Sequence, residues 1–369
     1  MKWISFSMAI LLIVSAYPTF ADAPPSYRQQ HPLAWMHGLP TGEQPGWSKP
    51  WWFNFEISNG NIWNAPLIMN DKKTGKQYKY TADFEQAHAI IELGRSIGQL
   101  LGISLEIPYA YRSGGLMDST IDSFHVLIGN RRYLRNWYPK FKNIYSVKTD
   151  DVEYYSEDHL GDGVANLRLK IKLWFIRWLG KEKNSCPCGV AISSQTKFPV
   201  RDKKYAGTTG DIDQSVLLHM GVPLFSASSM WFTGGITYLG DNPSMKDWPR
   251  FKKIILYEGN FDFALTQTWG LILSARAESP FLDISRLEYF DTATSEKVIS
   301  SNRAASGWHG LVHWRGTQSI GMRYRGPGGN LWQFVIAEDW GIGPYDGMDN
   351  IYSNNAPDIN FIMQAQLKW

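Results

Sequence analysis

The residues best suited to chemistry lie in one stretch, Gly114-Gly115-Leu116-Met117-Asp118-Ser119-Thr120-Ile121-Asp122-Ser123-Phe124-His125. Asp118 and Asp122 are four residues apart and His125 follows three later, a spacing that would put all three on one face of a short helix. An aspartate beside a histidine orients a general base, and Ser119 or Ser123 would then serve as a hydrolytic nucleophile. The plainer reading is a helical turn capped by Asp and Ser and bent at its glycines. The plainer reading is preferred, because a Ser, a His and an Asp often fall close together in a single sequence by chance.

Little else in the chain has the spacing of a catalytic or metal site. There is no HExxH or CxxC pattern, and the two cysteines form Cys186-Pro187-Cys188, too few soft ligands for zinc. They are expected at a turn, with a local disulfide formed on export as the lesser alternative. Gly326-Pro327-Gly328-Gly329 opens no helix after a strand, so it is a turn rather than a phosphate loop. No cofactor and no metal are expected. A net charge of +3 is too small a basic excess for a nucleic-acid binder.

The N-terminus points to export. Lys2, the apolar run Met8–Ala16 and Thr19-Phe20-Ala21 read as a Sec-type signal peptide over residues 1–21, with the mature chain starting near Asp22. Beyond it no apolar stretch reaches the ~18 residues of a membrane helix. An exported chain of this kind is either soluble or a β-barrel. Residues 22–50, rich in Pro, Gly and Trp, have no periodic pattern and read as an irregular segment that enters or plugs something.

From residue 51 to 369 the period is two. Leu167, Leu169, Ile171, Leu173 and Phe175 alternate with Asn166, Arg168, Lys170 and Lys172. On a helix the basic set would encircle the axis, whereas on a strand it takes one face and the apolar set the other. The C-terminus repeats this, with Ile359, Phe361, Met363, Ala365, Leu367 and Trp369 sharing a face. Leu101–Tyr109, Met230–Tyr238, Phe261–Leu265, Trp308–Trp314 and Trp332–Ile336 alternate too, with a turn expected at Gly316-Thr317. Glu85–Arg95 fits helix or strand. The count predicts a transmembrane antiparallel β-barrel of about 12 strands (10–14), and 17 Trp, 18 Tyr and 18 Phe supply rings for the two membrane interfaces. One feature fits badly: alternation back from the C-terminus puts Asp291–Gly307 at the periplasmic end, where turns are short.

The stretch at Gly114-Gly115-x-x-Asp118 and Ile121-Asp122-x-Phe124-His125, following Leu105–Pro108, resembles the DUF3187 family of uncharacterised exported bacterial proteins. His31-Pro32, Gly38-Leu39-Pro40 and Lys197-Phe198-Pro199 fit the same resemblance, which covers most of the mature chain. It implies an outer-membrane-type barrel with no assigned activity. Separately, Glu56-Ile57-Ser58-Asn59-Gly60 looks like the His-x-Ser-Asn-Gly stretch of outer-membrane phospholipase A, with Glu56 where that family has its His. That departure leaves Ser58 without a local base.

The expected function is therefore an outer-membrane barrel with a pore, transport or surface-structural role. Arg168, Lys170, Lys172, His309, His313, Arg315, Arg323 and Arg325 are its expected lumen-lining residues, and in an open lumen their basic excess would favour anions. Its partners would be outer-membrane lipids and the barrel-assembly machinery, the latter reading the terminal strand that ends in Trp369. Two alternatives stand beside this: a lipid hydrolase with its site near Asp118–His125, and a soluble periplasmic β-sandwich that binds a ligand.

Overall fold

The computed structural model describes residues 28–47, 49–115, 117, 119, 123, 143–154, 162–177, 188–201, 207–225, 228–291, 311, 314–342 and 359–369. In chain order the strands are β1 (Trp51–Asp71), β2 (Gln77–Ile97), β3 (Leu101–Ser113), β4 (Ile144–Thr149), β5 (Val152–Glu153), β6 (Gly163–Val164), β7 (Asn166–Arg177) and β8 (Gly189–Pro199). They continue with β9 (Asp213–Phe225), β10 (Ser228–Tyr238), β11 (Lys253–Ala264), β12 (Trp269–Glu278), β13 (Leu287–Asp291), β14 (Trp314–Arg325), β15 (Leu331–Ile342) and β16 (Ile359–Lys368). One short helix, α1 (Pro32–Met36), precedes them.

Twelve of these strands close on themselves. The antiparallel order β1-β16-β15-β14-β12-β11-β10-β9-β8-β7-β3-β2 returns to β1, where Phe53 pairs with Leu93 on one side and Leu367 on the other. The protein is a transmembrane β-barrel, not two packed sheets, which removes the soluble sandwich. Alternation decides which side chain goes where. In β7 the polar Arg168, Lys170 and Lys172 are buried inside, while Ile171, Leu173 and Phe175 stand exposed on the outer wall. Around that wall Ile107, Val216, Leu218, Leu273, Ile320 and Ile336 continue the apolar band. Tyr109, Tyr111, Tyr238, Tyr257 and Trp314 ring one edge, and Trp51, Trp269, Tyr324, Trp332 and Trp369 the other. An apolar belt between two aromatic girdles matches the hydrocarbon core and its interfaces.

The start of β1, the C-terminal Trp369 and most short turns share one end, where Trp51 N–H donates to the carbonyl of Trp369 at 3.0 Å. By the usual asymmetry this is the periplasmic end, and the longer connections face outward. β12 ends and β14 begins at the loop end, opposite to the side expected, with Asp291 closing β13; residues 292–307 lie outside the described residues. The misfit comes from the expected turn at Gly316-Thr317, where β14 in fact runs straight through as one strand. Residues 308–310, 312 and 313 lie outside the described residues. Glu85–Arg95 is strand, part of β2.

β1 and β2 each have 21 residues, about 70 Å of extended chain where ~9–11 residues span the membrane. Their outer halves rise past the rim, joined by β13 along Leu67–Asp71 and by β4 along Tyr78–Asp83. This small sheet bends over the barrel mouth. Its inner face, with Met69, Tyr78, Tyr80, Phe84, Tyr145 and Val147, forms a dry core with Met245, Trp248, Phe281 and Leu282 from the outer connections. Tyr78 Oη donates to the carbonyl of Asp247 at 2.7 Å, and Trp248 Nε1 donates to Thr149 Oγ1 at 2.9 Å. The result is a cap over the loop end.

Cys188 is disulfide-bonded and buried against Trp231, in keeping with the lesser of the two expectations for this stretch; Cys186 lies outside the described residues.

Candidate functional site

The barrel interior is occupied by the chain's own N-terminal segment, residues 28–47, which rises, turns under the cap and descends into β1. Gln29 Nε2 donates to Thr317 Oγ1 at 3.1 Å and Gln30 Nε2 to Ser58 Oγ at 2.9 Å. Helix α1 follows at the top. Its proline lies at the first turn, where the missing N–H costs nothing, and the His31 ring nitrogen accepts from Leu33 N–H at 3.2 Å. Leu33, Ala34 and Met36 bury themselves in the cap core, and Trp35 stacks on His88 with ring centroids 3.3 Å apart.

The descending limb, residues 38–47, is held through its main chain. Lys197 Nζ donates to Met36 O at 3.2 Å, and Gln195 Nε2 to Gly38 O at 2.8 Å. Lower down, Arg276 Nη2 donates to Pro40 O at 2.9 Å, Glu258 Oε2 accepts from Gly42 N–H at 2.9 Å, and Lys172 Nζ donates to Gln44 O at 2.9 Å. The limb lies hard against the wall at a repeated spacing of four, Gly38, Gly42 and Gly46. A Cβ at Gly42 would stand 2.5 Å from Glu258 Oε1, and one at Gly46 would stand 2.3 Å from the Trp174 ring. Glycine is what allows that approach.

Charges are matched across the contact. Glu106 receives Arg28 Nη2 and Arg168 Nη1, each at 2.6 Å. Glu43 pairs with Lys170 and, at 3.0 Å, with Lys172. Asp213 meets His37 Nδ1 at 2.9 Å and also pairs with Lys197. Burial is the main cause that holds the His37 pKa below its ordinary value, with Asp213 pulling the other way. Burial also lowers His31, and Arg315 adds to that. Both imidazoles are thus kept neutral.

Of the expected lumen residues, Arg168, Lys170, Lys172, Arg315 and Arg323 are buried inside the barrel, and Arg325 is half-buried at the termini end of β14. His309 and His313 lie outside the described residues. The expected basic excess does not appear among the described buried wall residues. Arg112, Arg168, Lys170, Lys172, Lys197, Arg276, Arg315 and Arg323 are answered by Glu56, Glu92, Glu106, Asp213, Glu258, Asp262, Glu278 and Asp339. The carboxylates arrive from seven strands, β11 supplying both Glu258 and Asp262, at inward positions of the same apolar-polar alternation. Arg323 Nη2, for instance, reaches Asp262 Oδ1 at 3.0 Å. Reading the sequence missed these acids, although they occupy the same inward positions as the cations.

Beside the descending limb, toward β1, β15 and β16, a cavity of about 70 Å³ remains, lined by Arg28, Glu43, Trp52, Asn54, Gln333 and Gln366 among others. That is room for about two waters.

The Gly114–His125 stretch sits elsewhere. Met117 N–H donates to Glu85 on the outer flank of β2, and Ser123 Oγ donates to the Ser119 carbonyl at 2.7 Å, both serines being exposed. Asp118, Asp122 and His125 lie outside the described residues. Ser58 and Glu56 are buried in the lumen, where Ser58 accepts from Gln30.

Solved structures similar in shape include an outer membrane channel from Pseudomonas putida F1, 9% identical with a TM-score of 0.44, covering 89% of this chain and 98% of that one. A FadL homologue from Pseudomonas aeruginosa is 8% identical with a TM-score of 0.38, covering 95% and 100%. The KdgM porin in complex with disordered oligogalacturonate is 5% identical with a TM-score of 0.38, covering 86% and 99%. No curated protein matches the chain. The profile of the DUF3187 family, described as a protein of unknown function, matches residues 6–300, and this barrel with its self-occupied lumen belongs to that family.

Proposed function

We propose that the protein is an outer-membrane transport barrel whose passage is closed by its own N-terminal segment. One observation carries this reading: the polar lumen is filled by a separate stretch of chain, residues 28–47, rather than by the wall's own side chains. A barrel built only as a surface structure can fill a narrow interior with inward side chains, and needs no threaded segment. With wall cations and carboxylates balanced, the opened lumen would select weakly by charge, in place of the anion preference expected from the basic residues alone. Signal-peptide export and assembly through the terminal strand at Trp369 belong to the same reading.

Planar-bilayer conductance tests it. A variant lacking residues 28–47, first shown to be folded by its heat-dependent gel mobility, should conduct steadily, while the intact protein stays near silent. If the deletion does not fold, Leu33→Asp in the intact chain serves the same comparison. A folded, segment-free barrel with no conductance would end the transport reading.

A further inference from the structure

The main-chain anchors of the descending limb stand on β7, β8, β11 and β12. The cavity beside the limb is walled by β1, β15 and β16, with β15 across the barrel from β8 in the closed strand order. The inward residues on that side are of another kind. Asn54 is directly opposed by Gln366, and one tier higher Gln364 stands between Glu56 and Gln333. Four side-chain amides thus share three adjacent strands, while the facing wall holds Lys170, Lys172 and Lys197 in ion pairs.

Three amide oxygens bordering this cavity are buried and have no hydrogen-bond partner among the described residues. They are Oδ1 of Asn54, Oε1 of Gln366 and, from the limb, Oε1 of Gln44. A buried carbonyl left without a donor is unfavourable, so whatever enters here must bring donors. Below the amides the Trp52 ring lies on Gly94, where a Cβ would stand 2.0 Å from it. Trp47 of the limb stacks against Trp52 with centroids 5.9 Å apart and planes 15° off parallel. The seated limb therefore covers a flat apolar ring and borders a set of unmet acceptors.

We infer that the strip of Asn54, Gln333, Gln364, Gln366 and Trp52 is the solute-binding site of the opened lumen, and that its ligand is a neutral saccharide. The inference deepens the transport reading and rests on it. A pyranose ring carries C–H groups on its faces and hydroxyls around its edge. Its face suits the indole that Trp47 vacates, and its hydroxyls donate to the amide oxygens and accept from the amide N–H groups. An ionic solute gains no charge pairing from amides.

Limb and saccharide compete for one surface, so hydrogen exchange in the full-length protein reads binding without any conductance. In a detergent with no sugar head group, maltotriose should speed exchange at residues 40–47 and leave 33–36 slow. Polyethylene glycol of equal mass, which lacks the hydroxyls, should do neither. Glu43→Lys loosens the limb and should lower the half-maximal maltotriose concentration roughly thirtyfold, because the competent state is then more populated. Adding Gln366→Leu to that chain should raise it again by roughly tenfold. Gln364→Leu replaces it if the heat-dependent mobility shift is lost. No response to maltotriose in Glu43→Lys, an equal response to polyethylene glycol, or unaltered binding with Gln366→Leu would each overturn the inference. Conductance is a separate readout: saccharide binding with a silent bilayer would end the transport reading and keep the site, and conductance without any saccharide response would end this inference alone.

Discussion

Helix α1 and the limb that follows it belong to one short segment, yet the barrel holds them by opposite means. Helix α1 sits in a dry core, where Leu33 and Met36 are shut among Tyr80, Tyr145 and Phe281. Burying side chains of this size contributes roughly 1.5–3 kcal/mol each, and no salt screens it. The limb lies among paired charges beside a small polar-lined cavity, held through main-chain carbonyls by Lys172, Gln195 and Arg276. Such contacts replace hydrogen bonds to water, so each contributes little net stability but fixes geometry. The upper contact therefore supplies most of the affinity and the lower one sets the path. If the lumen opens, the limb is the part expected to yield first.

The sharpest way to break this contrast is to place a charge in the cap. Leu33→Asp leaves an unpaired carboxylate in the apolar core, at a cost of roughly 3–5 kcal/mol. Limited proteolysis should then cut within residues 28–47, while the barrel keeps its heat-dependent mobility. Protection equal to wild type would show that the limb alone retains the segment.

A smaller effect is expected below. Glu43→Lys sets a third cation beside Lys170 and Lys172 and should loosen the limb by roughly 2–4 kcal/mol without freeing helix α1. Hydrogen exchange should speed up at residues 40–47 and stay slow at 33–36. In the wild type, high salt should shift the exchange of the lower stretch slightly and that of the upper stretch not at all.

The smallest effect is on pH. His31 and His37 titrate below the ordinary histidine value because of burial, so the unfolded segment binds protons more readily than the seated one. Stability from these neutral rings is full above about pH 6.5 and declines as pH falls below that value, by at most about 1.4 kcal/mol per unit for each ring. Exchange at residues 31–37 should accelerate between pH 7 and 5. His31→Gln should blunt that response, and an unchanged acid response would assign it to other groups.

Much of the barrel was legible because strand alternation is a local property. Each of Leu167 to Phe175 declares its face by the parity of its position, and no distant partner is needed to read it. The same holds for the terminal strand ending in Trp369. Where parity failed, the cause was also local: Gly316-Thr317 imitates a turn. The candidate site was harder. Gly38, Gly42 and Gly46 do show a spacing of four, but glycine spacing acquires meaning only beside the surface it approaches.

What the sequence by itself determined, then, is a chain of alternating strands with an oily and a polar face; closure into one barrel, in place of two packed sheets, shows only in the strand pairing. Tertiary structure decided how the polar face is spent. The Glu106 carboxylate stands between Arg28 and Arg168, and Glu43 between Lys170 and Lys172, partners separated by 62 to 129 positions in the chain. Only the pairing of β3 with β7 sets Arg168 beside Glu106, and only the path of the N-terminal segment brings Arg28 and Glu43 to the wall and settles which charges neutralise each other. That is why a wall that reads as basic along β7 is electrically balanced once all of its strands face one another.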